Sequence, residues 1–399
     1  MADAASPTQR PGAVSGAIKR LIVLAGLGLL AGCATIVPRG QPEAAPPPAA
    51  PRPSAPATST LPEDVARHRV ALLVPLTGTN GAVGRSLANA TQLAQLDTKS
   101  EAIRITSYDT AGDAAAAATR AIAEGNQLIL GPLLSEDVRA VAPIAKRAGV
   151  PVLSFSNDVS VAGNGAYVLG YSPVQSIDRV VDYAKASGIT SFAGLMPRGL
   201  YGERASTAFV HAVQRAGGQI VTIQNYDRSA GSITAAVGKM VKTSPFQAVL
   251  IADSGGTAAM AVPVIRKNGV TARVLGTELW NTDSAIGNQA SLNGAWFASV
   301  SDNLYRQYAA KYRARFGTAP FRLSSLGYDS VLLTIRIARD WRMGDRFPEA
   351  QLIDRGGFAG LDGAFRFGRD GIAERSLEVQ EIRSGGAVTV SPAPAGFAR

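Results

Sequence analysis

From Arg69 onward, the chain alternates between short apolar runs and longer segments in which apolar residues recur every three or four positions. Continuous apolar runs such as 70–74 and 248–252 are typical of strands that are buried on both faces. The segments between them are typical of amphipathic helices. Because parallel strands need a crossover connection, this alternation predicts a parallel sheet with helices on both faces.

The alternation occurs in two series. The first ends near Pro173, the second begins with a helix predicted at Val174, and two further helices are predicted over 303–316 and 323–341. The end of the chain has the glycine spacing and short β-rich runs of hairpin strands. We therefore predict an α/β fold of two doubly wound, Rossmann-like lobes with a cleft between them. Lobe 1 is expected to comprise residues 69–173 and about 298–340, and lobe 2 residues 174–297 and about 341–395.

Residues 1–32 have the pattern of an export signal peptide. Arg10, Lys19 and Arg20 precede an apolar stretch, 21–32, that is too short to cross a hydrocarbon core of ~30 Å. The tetrapeptide Leu-Ala-Gly-Cys at 30–33 resembles the lipobox of bacterial lipoproteins. The one cysteine of the chain, Cys33, would then carry the lipid, begin the mature protein and anchor it to a membrane. In Gram-negative lipoproteins, an aspartate after the lipidated cysteine retains the protein in the inner membrane. Here Ala34 follows Cys33, so resemblance to this sorting favours the periplasmic face of the outer membrane.

Residues 33–68 are expected to form a lipidated tether. The segment 38–62 is dense in Pro, Ala, Ser and Thr and has almost no aliphatic core formers. Burial of so little apolar surface cannot offset the entropy of ordering the chain. Such a segment would carry the folded body away from the bilayer, although a proline-rich ligand for a partner domain is an alternative.

Composition excludes several classes of function. With 46% hydrophobic residues, the body can bury a sizeable core. The net charge of +10 includes no block of Lys and Arg and no interleaved aromatic series, so no nucleic-acid partner is expected. The excess of positive charge fits ordinary solubility, an acidic partner in the cell envelope or the anionic cell wall.

Motifs that carry catalysis are scarce. The two histidines, His68 and His211, make a histidine-based zinc site or a Ser-His-Asp triad an improbable arrangement. The loop 78–84 has the spacing G-x-x-G-x-x-G, which matches neither the dinucleotide fingerprint nor a phosphate-binding loop. We therefore expect no cofactor, no metal and no enzymatic activity.

Polar residues follow several predicted strands, at the end of each sheet where ligands of doubly wound folds bind. The candidate ligand residues of the cleft are Thr77, Ser135, Ser156 and Asp158 from lobe 1 and Tyr201 and Asp253 from lobe 2. Tyr201 could close an aromatic lid over the cleft. The alternative is that Ser135 is a helix N-cap and that the other residues form ordinary turns.

Three segments, 70–90, 128–158 and 199–218, resemble type I periplasmic binding proteins of the leucine and branched-chain amino-acid receptor group. The resemblance extends from Arg69 to about Phe367. Within this group, the segments 108–110, 131–134, 169–173 and 292–296 are similar to the lipoprotein activators of bifunctional penicillin-binding proteins. Those activators are outer-membrane lipoproteins that reach across the periplasm and stimulate peptidoglycan synthases.

The resemblance implies roles for the candidate residues. In the receptors, the positions that match Ser135, Ser156 and Asp158 hold the carboxylate and amine of the ligand, and those that match Tyr201 and Asp253 contact it from the other lobe. Asp158 replaces a receptor-like threonine, and its carboxylate would repel a ligand carboxylate. The well-known activators also carry a helical-repeat domain before this fold, and no helical period of about 34 residues is visible here.

The sequence therefore predicts a non-enzymatic lipoprotein that binds and activates a bifunctional penicillin-binding protein, with a small amino-acid-like ligand as a further candidate partner. The first alternative is a lipid-anchored amino-acid receptor of an ABC transporter. A hydrolase of the cell wall is a third hypothesis, although no pair of carboxylates in the sequence supports it.

Overall fold

The computed structural model describes residues 67–282, 285–394 and 397. The predicted signal peptide, Cys33 and nearly all of the predicted tether lie outside the described residues. Lobe 1 begins with β1 (His68–Val74), α1 (Gly81–Thr98), β2 (Ile103–Asp109), α2 (Ala114–Ala123), β3 (Ile129–Leu130), α3 (Ser135–Ala148), β4 (Val152–Ser154) and β5 (Ala166–Val168). Its strands form a parallel sheet in the order β2-β1-β3-β4-β5.

Lobe 2 repeats this pattern. Its elements are α4 (Pro173–Ala186), β6 (Ser191–Pro197), α5 (Leu200–Arg215), β7 (Gln219–Tyr226), α6 (Ala230–Met240), β8 (Ala248–Ile251), α7 (Gly255–Lys267), β9 (Arg273–Gly276) and β10 (Trp296–Ser299). These strands pair in parallel in the order β10-β9-β8-β6-β7. Apolar residues pack on both faces of the sheet, so the continuous apolar strands are buried on both sides. The predicted α/β class is confirmed.

The chain then returns to lobe 1 with α8 (Asn303–Phe316) and α9 (Ser324–Ala338), and α9 packs along α1. Next come the antiparallel strands β11 (Phe358–Gly360), β12 (Gly363–Phe367) and β13 (Ala373–Arg375). The final strands, β14 (Glu378–Arg383) and β15 (Gly386–Ser391), join the sheet of lobe 2, with β14 antiparallel to β10. None of the helices in the described ranges is both long enough and apolar enough to span a bilayer.

The predicted boundary at residue 341 is wrong. Residues 341–375 were expected in lobe 2, but Trp341, Phe347, Phe365 and Phe367 belong to the same apolar core as β1 and α9. These large side chains cover a side of lobe 1 that α9 leaves apolar, so burial holds the segment there. Of the strands described after residue 340, only β14 and β15 join the sheet of lobe 2.

The predicted tether also extends one residue too far. His68 was assigned to the tether but is the first residue of β1, where its ring stacks on that of Trp341 at 3.8 Å. Its Nε2 lies 2.9 Å from the carbonyl oxygen of Trp341. Burial of the imidazole lowers the pKa of His68. His68 is therefore a packing residue of the folded body.

In each lobe, a glycine in the helix after the first strand packs against the end of that strand. A Cβ added at Gly84 would overlap the carbonyl oxygen of Pro75, and one added at Gly202 would overlap that of Pro197. Only glycine allows this approach of helix and strand. The glycine spacing of the loop 78–84 therefore reflects packing at a turn.

Candidate functional site

The loops that follow the strands of the two sheets meet between the lobes. Asp158 follows β4 in lobe 1, and Arg204 projects from the first turns of α5 in lobe 2. The distance between Arg204 Nη2 and Asp158 Oδ1 is 2.6 Å. An ion pair made by the chain itself therefore joins the two lobes at the predicted ligand cleft.

The carboxylate of Asp158 is fully occupied by groups of the chain. Arg139 Nη2 lies 2.7 Å from its Oδ2, and the amide and hydroxyl of Ser160 donate to its Oδ1 at 2.9 and 2.6 Å. Asp158 is 2% exposed. Burial alone would raise the pKa of Asp158, but the hydrogen bonds from Ser160 and the two guanidinium groups outweigh it and hold the pKa well below its usual range. The side chain is therefore ionised and its acceptor positions are taken.

The other candidates of lobe 1 have local roles. The Oγ of Ser156 accepts the amide of Asp158 at 3.1 Å, which fixes the turn after β4. Ser135 is the first residue of α3, the N-cap position is held by Leu134, and the Ser135 hydroxyl donates to Glu136 Oε2 at 3.3 Å, so the N-cap alternative is wrong. Thr77 is exposed and donates to Asp109 Oδ2 at 2.6 Å. The structure thus brings Ser156 and Asp158 together and bonds Thr77 to the end of β2.

In lobe 2, Tyr201 is bonded within its own lobe. Its hydroxyl donates to Glu278 Oε1 at 3.0 Å and lies 3.0 Å from Thr277 Oγ1. Burial raises the pKa of Tyr201. This tyrosine therefore packs over the loop after β9 and is held there by its hydroxyl.

Asp253 is also satisfied within lobe 2. Its Oδ2 accepts the hydroxyl of Tyr226 at 2.8 Å and the Nε of Arg228 at 2.9 Å, and its Oδ1 accepts the amide of Ser254 at 2.7 Å. The carboxylate thereby connects the ends of β7 and β8. Both acidic candidates of the cleft are thus neutralised by arginines of the chain.

The sequence interpretation missed Arg204 and Glu278. Arg204 lies three residues after Tyr201 on the same helix face, a spacing that could have indicated it. Glu278 comes just after β9, at the sheet end where ligands bind. Its two oxygens accept the hydroxyls of Ser176 and Tyr201, and burial raises the pKa of Glu278. No cluster of His, Cys, Asp and Glu suited to a metal ion occurs within the described ranges.

A groove of about 910 Å³ opens elsewhere between the lobes and is lined by residues of both. One wall is the face of α8 that carries Tyr305, Arg306 and Arg313, and the other is formed by β14 and β15. Phe321, in the loop after α8, lines the groove and is 47% exposed. A groove of this size would accommodate a peptide segment.

Comparisons with known proteins agree on the fold. A family model described as a periplasmic binding protein matches residues 68–387. The leucine-binding protein LivK of Thermotoga maritima superposes with a TM-score of 0.62 and 20% identity, covering 82% of this chain and 98% of that one. An ABC transporter substrate-binding protein of Sphaerobacter thermophilus gives a TM-score of 0.66 at 17% identity, covering 82% of this chain and 96% of that one.

A third solved structure contains a ligand. It is the branched-chain amino-acid transporter substrate-binding protein LivJ of Streptococcus pneumoniae in complex with isoleucine, with a TM-score of 0.61, 18% identity and coverage of 82% and 100%. At these identities the likeness shows the fold alone. Among curated proteins, an uncharacterised protein of Rickettsia prowazekii is 24% identical over 170 residues, which span 42% of this chain and 46% of the relative.

Proposed function

Because this chain belongs to the periplasmic binding protein family, we propose that it is a non-enzymatic envelope lipoprotein that acts by docking on another protein. The family implies a periplasmic or extracellular location. The observation that carries the proposal is the ion pair between Asp158 and Arg204, which occupies the predicted ligand site. A receptor closes when a ligand bridges its lobes, whereas here the chain supplies the bridge itself.

An amino acid would have to displace these internal contacts before it could bind. Its amine would compete with Arg204 and Arg139 for Asp158, and with Arg228 for Asp253. The intramolecular partners are already in place, so they lose less entropy than a free ligand. We therefore expect this protein to bind amino acids weakly or not at all.

The partner that we propose is a bifunctional penicillin-binding protein. Support comes from the predicted lipobox at Cys33, the predicted tether at 33–67 and the four segments similar to synthase activators. An outer-membrane anchor and an extended tether would place the folded body within reach of a synthase in the inner membrane. Activation requires that this body bind the active state of the synthase more tightly than the inactive state.

The groove beside α8 is the docking surface that we propose, with an acidic segment of the synthase as its occupant. Over Asn303–Phe316, α8 carries four cations and no acid, and two of the cations, Arg306 and Arg313, line the groove. The two acids that line the groove are already bonded, Asp302 to Arg322 and Glu378 to Gln380. The exposed ring of Phe321 adds apolar contact area at the same place.

The test is crosslinking of the full lipoprotein in its native envelope, followed by capture and mass spectrometry. We expect recovery of a bifunctional synthase and its loss in the double variant R306E/R313E. The matched control is R339E/R342E, which reverses the charge of two exposed arginines that do not line the groove. Recovery of a permease with its ATPase would replace the proposal with transport, and equal capture by both double variants would exclude the groove.

The receptor alternative is tested separately by thermal unfolding with each amino acid. A ligand at 100 times its Kd would add about 2.7 kcal/mol to the free energy of unfolding. We expect no stabilisation by any of them. A saturable rise in Tm with a single amino acid would favour the receptor.

A further inference from the structure

The chain contains four Asn-Gly pairs, and one of them forms the tip of a tight turn before β5. Asn164 is exposed, and the φ angles of Asn164 and Gly165 are 55° and 86°. The amide of Gly163 donates to the carbonyl of Ala166 at 2.8 Å, and the amide of Ala166 donates to the carbonyl of Gly163 at 3.0 Å. Two central residues with positive φ between mutually bonded ends make a type I′ turn.

The peptide group at the centre of this turn is free to rotate. Among the described residues, neither the carbonyl oxygen of Asn164 nor the amide of Gly165 has a hydrogen-bond partner. Beyond its chain neighbours, a Cβ built on Gly165 would meet one atom within 4 Å, Oε1 of Glu349 at 4.0 Å. Rotation of this peptide group changes a type I′ turn into a type II′ turn and keeps the hydrogen bonds at the ends of the turn.

This rotation brings two reactive groups together. In a type II′ turn the ψ angle of the first central residue is about −120°. At that angle the amide nitrogen of Gly165 approaches the side-chain Cγ of Asn164, and glycine has no Cβ to block the approach. Lys146 Nζ donates to Asn164 Oδ1 at 2.7 Å. The ammonium group therefore withdraws electron density from Cγ and stabilises negative charge that develops on Oδ1.

The other three Asn-Gly pairs lack this freedom. In each of them the glycine amide already donates to a backbone carbonyl: Gly81 to that of Gly78 at 3.1 Å, Gly269 to that of Arg266 at 2.9 Å, and Gly294 to that of Ile382 at 2.8 Å. Rotation of the peptide group would break that hydrogen bond, which costs free energy. The fold therefore distinguishes one Asn-Gly pair from three that have the same local sequence.

We propose that Asn164 is a site of spontaneous deamidation. The amide nitrogen of Gly165 bonds to Cγ of Asn164, the bond between Cγ and Nδ2 breaks, and the amide proton leaves with Nδ2 as ammonia. Water then opens the resulting cyclic imide at either of its carbonyls, which gives aspartate or isoaspartate. Either product places a carboxylate near Lys146, and isoaspartate lengthens the backbone of the loop that connects Asp158 to β5. This inference does not depend on the identity of a partner protein.

The experiment incubates the purified full-length protein at neutral and mildly alkaline pH. Proteolytic peptides that contain each Asn-Gly pair are quantified by mass spectrometry, and isoaspartate is identified by enzymatic methylation. Protein unfolded in urea is the reference in which all four pairs react. In the folded protein, we expect Asn164 to react at least about 3-fold faster than any other pair, because its peptide group breaks one hydrogen bond fewer. The rate should rise with pH, since the amide nitrogen attacks after loss of its proton.

Lys146→Met should slow the reaction at Asn164 by about 3- to 10-fold, and Lys146→Arg should retain most of the rate. The matched control is Lys185→Met, because Lys185 also donates one hydrogen bond, to the carbonyl of Gly217 at 2.8 Å, but lies in lobe 2. That variant should leave the rate unchanged. The proposal is overturned if the folded protein modifies another pair as fast as Asn164, or if Asn164 stays intact while the unfolded protein reacts. An unchanged rate in Lys146→Met would overturn the role of Lys146.

Discussion

Replacement of Arg204 by Met tests whether the chain itself holds its lobes closed. The substitution keeps most of the apolar stem and removes the charge that meets Asp158 at 2.6 Å. Asp158 remains buried and ionised, with Arg139 and Ser160 as its remaining partners. We expect the lobes to open, because the open state returns the carboxylate to water.

The magnitude follows from burial and from the partners that remain. Breaking a fully buried pair costs about 3–5 kcal/mol when one charge is left uncompensated. The side chain of Arg204 is 24% exposed and Arg139 still compensates Asp158, so the expected cost is about 1–3 kcal/mol. The ratio of closed to open molecules should therefore fall about 5- to 150-fold.

The assay is the distance between nitroxide labels on cysteines introduced at Ala140 of α3 and Gln214 of α5, in a Cys33→Ser background. Both label positions are exposed and lie in different lobes. Arg204→Met should add a longer distance to the distribution. The matched control on the same helix is Arg215→Met, because Arg215 pairs with Asp178 at 2.9 Å within lobe 2. That variant should leave the distance unchanged.

A double-mutant cycle of Arg204→Met and Asp158→Asn isolates the coupling free energy between these two side chains. The reasoning would be refuted if Arg204→Met kept the wild-type distance distribution, or if the coupling between the two substitutions were below about 0.5 kcal/mol, which is the usual error of additivity. Opening in Arg215→Met as well would show that the effect belongs to α5 as a whole.

Three further predictions concern pH, packing and the second acidic candidate. Burial, and then the charge of Asp362, raises the pKa of Asp329 to about 7, so the contribution of Asp329 to stability is present below about pH 4 and is lost as the pH rises through 7. Denaturant unfolding between pH 4 and 8 should show this fall in the wild type and a flatter curve in Asp329→Asn. Parallel curves for the two proteins would contradict the prediction. Gly84→Ala and Gly202→Ala should each lower the free energy of unfolding by about 2 kcal/mol or more. The control Gly238→Ala in α6, where an added Cβ meets nothing within 4 Å, should raise the free energy of unfolding by up to about 1 kcal/mol. Equal effects at the three sites would exclude the close approach of helix and strand as the cause. Asp253→Asn should lower the free energy of unfolding by about 1–2 kcal/mol, because it removes the charge that meets Arg228. The distance between the two nitroxide labels should not change. A longer distance in this variant would show that Asp253 helps to hold the lobes together.

The folded body follows closely from the sequence. The apolar run of β1 and the periodic pattern of α8 depend on residues adjacent along the chain, so they predicted these elements to within a residue or two. The turns after the strands were likewise predictable, and they contained Ser156 and Asp158. The rest of the site was not predictable, because a carboxylate after a strand has the same sequence pattern whether it meets a ligand or an arginine.

Periodicity by itself determined the α/β class, the order of the elements and the end of the sheet where polar groups gather. Only the tertiary structure decided that residues 341–375 complete lobe 1, since the large aromatic side chains went where apolar surface remained uncovered. It also decided that Arg204 meets Asp158. Burial and ion pairing depend on residues that are distant along the chain and close in space, and hydrophobic periodicity does not record those contacts.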